Sequence, residues 1–215
     1  MRLYEINPIA ENVIVLESPA RVNSIQTENL DNKETNKNLA EWYLSRVHNK
    51  MPPSVSKSGT AGDYVLIETT KSETDRSPCV ICVDTIIPRI VYYGFYEEIK
   101  DYESGMDAVI PQFVWVYKND YPWGIVRDVF FNYYIKKWPI VISDTTMTDA
   151  GNSNFVKYMN DSHKIGLNVG FSDDGEITWF DDTIKMSLED WLHKKKTFGP
   201  NKSNIVYMIS KVKFY

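Results

Sequence analysis

Cys79 and Cys82 form a Cys-x-x-Cys pair, a spacing used in redox chemistry and in half of a zinc site. Their setting argues against both. Cys79-Val80-Ile81-Cys82-Val83 is an apolar β-type run, whereas a redox pair sits at a helix N-terminus that lowers a thiol pKa. A strand sends residues three apart to opposite faces, and His48, His163 and His193 are too scattered to complete a zinc set. Both cysteines are therefore expected as reduced, buried core thiols. Asp173, Asp174, Asp181 and Asp182 could hold a hard cation, yet Asp174-Gly175 is what a hairpin turn requires in any case, and no calcium-loop spacing is present. They read as a solvated acidic face, with no metal. His193-Lys194-Lys195-Lys196 suits a helix C-terminus, where cations oppose the negative end of the dipole. Tyr92, Tyr93, Phe95 and Tyr96 crowd one strand, so some of these rings are expected to face outward and offer a surface to a protein partner.

The 215 residues carry 24 Lys+Arg against 29 Asp+Glu, a net charge of −5. An acidic balance without a basic stripe argues against neutralising nucleic-acid phosphates. Hydrophobic residues at 43% and charged residues at 25% exclude wholesale disorder. No run approaches the roughly 18 apolar residues of a membrane span. The start Met1-Arg2-Leu3-Tyr4-Glu5 lacks a signal peptide's apolar core, so a cytoplasmic chain is expected.

The elements that must position any chemistry follow from periodicity. Leu3, Ile6, Ile9, Val13, Val15 and Leu16 alternate as a short strand or hairpin, and Leu39, Trp42, Tyr43 and Val47 mark a helix over 35–48 that Met51-Pro52-Pro53 ends. Residues 64–67, 79–87 and 90–96 are β-branched and aromatic runs, close enough in sequence to pair antiparallel. A strand at 113–117, a turn at 118–124, a helix at 125–137 and a strand at 140–143 make a crossover unit. The helix face is read as Val126, Val129, Phe130 and Tyr133. A helix over 152–160, a hairpin of strands 165–171 and 176–180, a helix over 188–195 capped by Ser187 and a last strand over 204–211 complete the chain. The fold class is α/β (α+β), a mixed, mostly antiparallel sheet flanked by helices. It is read as one domain over 1–215, with 1–62 as an N-terminal elaboration.

Tyr121-Pro122-Trp123-Gly124-Ile125-Val126-Arg127-Asp128-Val129-Phe130, followed by Pro139-Ile140-Val141-Ile142-Ser143-Asp144-Thr145, sits in an element order that resembles the GNAT family of N-acetyltransferases, in particular the acetyltransferase-like proteins of phages. In that family an Arg-Gly-x-Gly-Ile-Gly-type loop opens the helix, and its backbone N–H groups receive the coenzyme A pyrophosphate. The resemblance covers roughly 110–171. It implies acetyl-coenzyme A as cofactor, with Val114, Val116, Trp123, Gly124, Ile125, Val126, Arg127 and Ser143 in the binding positions. Only Gly124 keeps a family glycine, while Tyr121 replaces the basic position and branched Val126 the last small one. The bland alternative is a tight turn that merely starts a core helix. The resemblance also implies a general acid, Tyr158, though its spacing from Asn152 is six rather than seven, and a general base, Glu97 or Glu98. The function it implies is an N-acetyltransferase or a degenerate descendant. The competing class is a protein-binding or virion-associated module that keeps the fold for its shape.

Overall fold

The computed structural model describes residues 14–17, 30–47, 64–70, 78–100, 105–117, 124–145, 147, 149–173, 176–181, 183, 185–195 and 205–213. The strands are β1 (Ile14–Glu17), β2 (Tyr64–Thr70), β3 (Cys79–Asp84), β4 (Arg89–Lys100), β5 (Asp107–Val116), β6 (Ile140–Ile142), β7 (Asn168–Asp173), β8 (Glu176–Trp179) and β9 (Ile205–Ser210). Helix α1 is Lys33–Val47, α2 spans 125–137, α3 is Asp149–Lys164 and α4 is Leu188–Lys194. The strands hydrogen-bond in the order β1-β2-β3-β4-β5-β6-β9-β7-β8. Pairing is parallel for β1/β2 and β5/β6, and antiparallel for β2/β3, β3/β4, β6/β9, β7/β8 and β7/β9. The mixed, mostly antiparallel α+β class is thus the observed one. The chain divides into two compact units, Met1–Glu97 with Phe113–Lys136, and Glu98–Gln112 with Lys137–Tyr215.

In the first unit both faces of the sheet are covered. On one face Leu30, Ala40, Tyr43 and Leu44 bury against Val65, Ile67, Cys79, Ile81, Val83 and Tyr93. Helix α1 starts there because Asn32 caps it, its Oδ1 accepting from the N–H groups of Glu34 and Thr35 at 3.1 Å each. On the other face the Tyr133 hydroxyl donates to that of Tyr96 at 3.0 Å, and the Tyr96 and Tyr134 rings meet edge-on at 5.8 Å. This double cover corrects the expected outward-facing aromatics. Tyr92, Tyr93 and Tyr96 are all buried and Phe95 half-buried, because alternation sends neighbouring rings to two faces that each have a helix on them.

The same alternation separates the cysteines. Cys79 lies in the α1-side cluster, and Cys82 lies outside that cluster, three residues on. Both are buried and neither forms a disulfide, and burial together with the charges of Asp84 and Asp128 pushes the Cys82 thiol up. Native protein is therefore expected to react with a thiol reagent about 1,000-fold or more slowly than unfolded chain, since access requires opening the core. Rapid labelling of both thiols in the folded protein would refute this.

In the second unit α3 buries Phe155, Val156 and Met159, the Phe155 ring stacking on Tyr207 of β9 at 6.3 Å. Helix α4 has a capping exchange in which Ser187 Oγ accepts from the Asp190 N–H at 3.1 Å and donates to Asp190 Oδ2 at 2.7 Å. Its Trp191 packs on Phe171 and Phe180, each at 5.3 Å. The β7/β8 pair is the expected hairpin, with Asp173 opposite Glu176. Its turn residues Asp174 and Gly175 lie outside the described residues.

Strand β5 begins six residues earlier than the 113–117 run suggests, despite Pro111. The registered β5/β6 pairs are Ala108 with Ile140 and Val109 with Val141, two residues before Pro111, which has no N–H to give. Of the N-terminal strand or hairpin, only 14–17 falls among the described residues, and it pairs parallel with β2 after the α1 crossover.

Candidate functional site

The entry to α2 is built around Gly124. Its φ of 103° is a left-handed conformation that glycine adopts without steric cost, and its carbonyl accepts the Asp128 N–H at 2.7 Å to close the first turn. Among the described residues, a Cβ placed there would meet only Asp128 Oδ2, at 4.0 Å. Ile125 is buried and anchors the turn, while Val126 is half-buried. Arg127 turns down the helix, its guanidinium carbon 5.0 Å from the centre of the Phe131 ring. On β5, Val114 is exposed and Val116 half-buried. Trp123 lies outside the described residues, as does Tyr121.

Asp128 is the site feature that sequence reasoning missed. Partial burial raises its carboxyl above the ordinary range, with Arg127 opposing that rise. A carboxylate in a first helical turn ordinarily serves the helix dipole, which is why its type and position drew no notice. Here it lies close to Gly124, the left-handed residue that opens the helix. The π-helical turn Phe130–Tyr134 was also illegible. It widens the buried face to Phe130, Asn132, Tyr133 and Tyr134, where a 3.6-residue period shows Val126, Val129, Phe130 and Tyr133. Burial holds the Tyr133 and Tyr134 phenols neutral, and Glu68 on β2 is buried in the same unit.

The second unit holds Ser143, Tyr158 and Glu98; Glu97 belongs to the first. Ser143 is buried just past β6, its N–H donating to the Tyr207 carbonyl at 2.8 Å and its Oγ accepting the Tyr207 N–H at 2.8 Å. Tyr158 is half-buried on α3. Glu97 and Glu98 are exposed on β4, and Glu98 lies 3.9 Å from Lys137 Nζ. Asp181 is exposed, and the Thr183 N–H at 2.9 Å lowers its carboxyl pKa. Among the described residues no group of three or more His, Cys, Asp or Glu is arranged to hold a metal ion, and no helix is long and apolar enough to cross a membrane.

For coenzyme A the residues present make a weak fit. The left-handed Gly124 suits a phosphate close to backbone, whereas Asp128 opposes it and Arg127 is engaged on Phe131.

No protein-family model matches the chain, and a search of curated proteins finds no match. Among solved structures it is similar to a mutant of the BH1408 protein from Bacillus halodurans, at 13% identity and a TM-score of 0.33 over 65% of this chain and 85% of that one. That likeness is too loose to carry over any residue's role.

Proposed function

We propose that the chain is an acetyl-coenzyme-A-dependent N-acetyltransferase-like protein with a degenerate coenzyme loop. The observation that carries the reading is the connection β5–α2–β6–α3, with β5 and β6 parallel and a left-handed Gly124 at the entry to α2. Gly124 and the amides after it are the groups that would hold the pyrophosphate. Acetyl-coenzyme A, when bound, supplies the thioester acyl group. Glu97 or Glu98 would take the proton of an attacking amine. Tyr158 would give its phenol proton to the departing thiolate. Return of the proton from the carboxylic acid to the phenolate, through solvent, would reset both groups.

Weak binding, with a dissociation constant of about 1 mM, is the expected result of one fitting glycine and one opposing carboxylate. At ten times that concentration the ligand adds about 1.4 kcal/mol to stability, which raises the melting temperature by about 3–6 °C. Gly124→Glu should abolish the rise, and Gly124→Asn, which tolerates the left-handed backbone without added charge, should retain most of it. Isothermal titration giving about 10 µM or tighter would overturn the degenerate loop. No shift at all would overturn the reading itself. A second reading, a protein-binding module that keeps the fold without catalysis, then stands on the β3–β4 tip, where Ile86 and Ile87 are 66% and 59% exposed.

A further inference from the structure

Resting on the acetyltransferase reading, we propose that Ser143 and Tyr207 are positioning residues for Tyr158. Strand β6 ends at Ile142, opposite Met208. The serine prolongs that ladder beyond the strand, because its N–H reaches the Tyr207 carbonyl and its hydroxyl oxygen stands in for a backbone carbonyl in accepting the Tyr207 N–H, both at 2.8 Å. Ser143 and Tyr207 are 1% and 2% exposed, so water does not replace either bond. The Tyr207 ring, held in place from its own backbone, stacks on Phe155 with planes 24° apart. Phe155 is buried on α3, and Tyr158 follows it by three residues, which places the two on neighbouring positions of one helix face. The rotation of α3 about its axis is thus set by Phe155 against Tyr207 together with buried Val156 and Met159. That rotation decides where the Tyr158 phenol points. A hydroxyl just past the strand that follows the crossover thereby orients the proton donor without touching the substrate.

The test places 3-fluorotyrosine at position 158 of the full chain and reads its fluorine NMR signal, with a second label at position 93 in the other unit as reference. Ser143→Ala should shift or split the Tyr158 signal and leave the Tyr93 signal in place. Ser143→Thr, which keeps the oxygen, should restore it. Phe155→Leu, which spares the Ser143 bonds but removes the ring stack, should displace the signal in the same way and serves if Ser143→Ala does not fold. Millimolar acetyl-coenzyme A should move the Tyr158 signal of the unsubstituted protein. An unmoved Tyr158 signal in folded Ser143→Ala or Phe155→Leu overturns the positioning role while leaving the acetyltransferase reading intact. Movement in the variants with no response to acetyl-coenzyme A overturns the acetyltransferase reading, and with it the catalytic meaning of the contact.

Discussion

Asn36→Ala is expected to lower the unfolding free energy by about 3–5 kcal/mol, a large part of what a domain of this size possesses. Asn36 lies in α1 and is 1% exposed. Its Nδ2 donates to the Leu30 carbonyl at 2.9 Å and to the Ile90 carbonyl at 3.1 Å, and its Oδ1 accepts the Ile90 N–H at 2.7 Å. One side-chain amide thus bonds both backbone groups of Ile90, next to the first residue of β4. Truncation leaves three buried backbone groups without that partner, each costing roughly 1–3 kcal/mol less whatever water enters. Urea unfolding should show a lower midpoint at an unchanged slope. Asn36→Asp offers a check with a defined sign. The carboxylate would face two carbonyl oxygens, so its folded pKa must rise above the unfolded value of about 3.9. Its protonated form is the better tolerated one, and the variant should lose stability as pH rises from about 4 through that raised folded pKa. A loss below about 1 kcal/mol for Asn36→Ala would overturn the clamp.

Gly170→Ala should cost about 2–3 kcal/mol, from a different cause. Gly170 sits in β7 between Trp179 of β8 and Met208 of β9. An added Cβ would lie 2.6 Å from the Thr178 carbonyl oxygen, 2.9 Å from Trp179 Cε3 and 3.2 Å from Trp179 Cα. Two of these atoms are backbone, so no rotamer change relieves the contact. Strand β8 ends the strand order and is the neighbour that must give way. Hydrogen exchange in the variant should therefore accelerate at Ile177, Thr178 and Trp179 more than at Val169 or Ile209. Uniform protection with unchanged stability would show that the strands absorb the methyl group.

Those two residues show where reading along the chain ends. Asn36 falls inside a helix whose existence is plain from Leu39, Trp42 and Tyr43, but its partner Ile90 lies 54 residues away and no local pattern marks the pair. Gly170 looks like any strand glycine until the β8 backbone lies against it. The entry to α2 divides the same way. Gly124 as the turn residue and the 125–137 span are legible, since a glycine after aromatic turn residues and the apolar spacing that follows are local signals. The approach of the Asp128 carboxyl to Gly124 and the stacking of Arg127 on Phe131 depend on which rotamers the packed helix permits.

The sequence by itself determined the α+β class, the hairpin of β7 with β8, the cap at Ser187 and the burial of both cysteines. Each rests on a period of 2 or 3.6 residues or on a capping residue acting within a few positions. Only the tertiary structure decided that the aromatics of β4 are buried on both sides, that α2 carries a π turn and that Ser143 binds Tyr207. The physical reason for the first and the last is tertiary packing. Alternation assigns a side chain to a face of the sheet, but whether that face meets water or a helix depends on chain segments dozens of residues away. The same packing decides which of several hydrogen-bond partners a polar group takes.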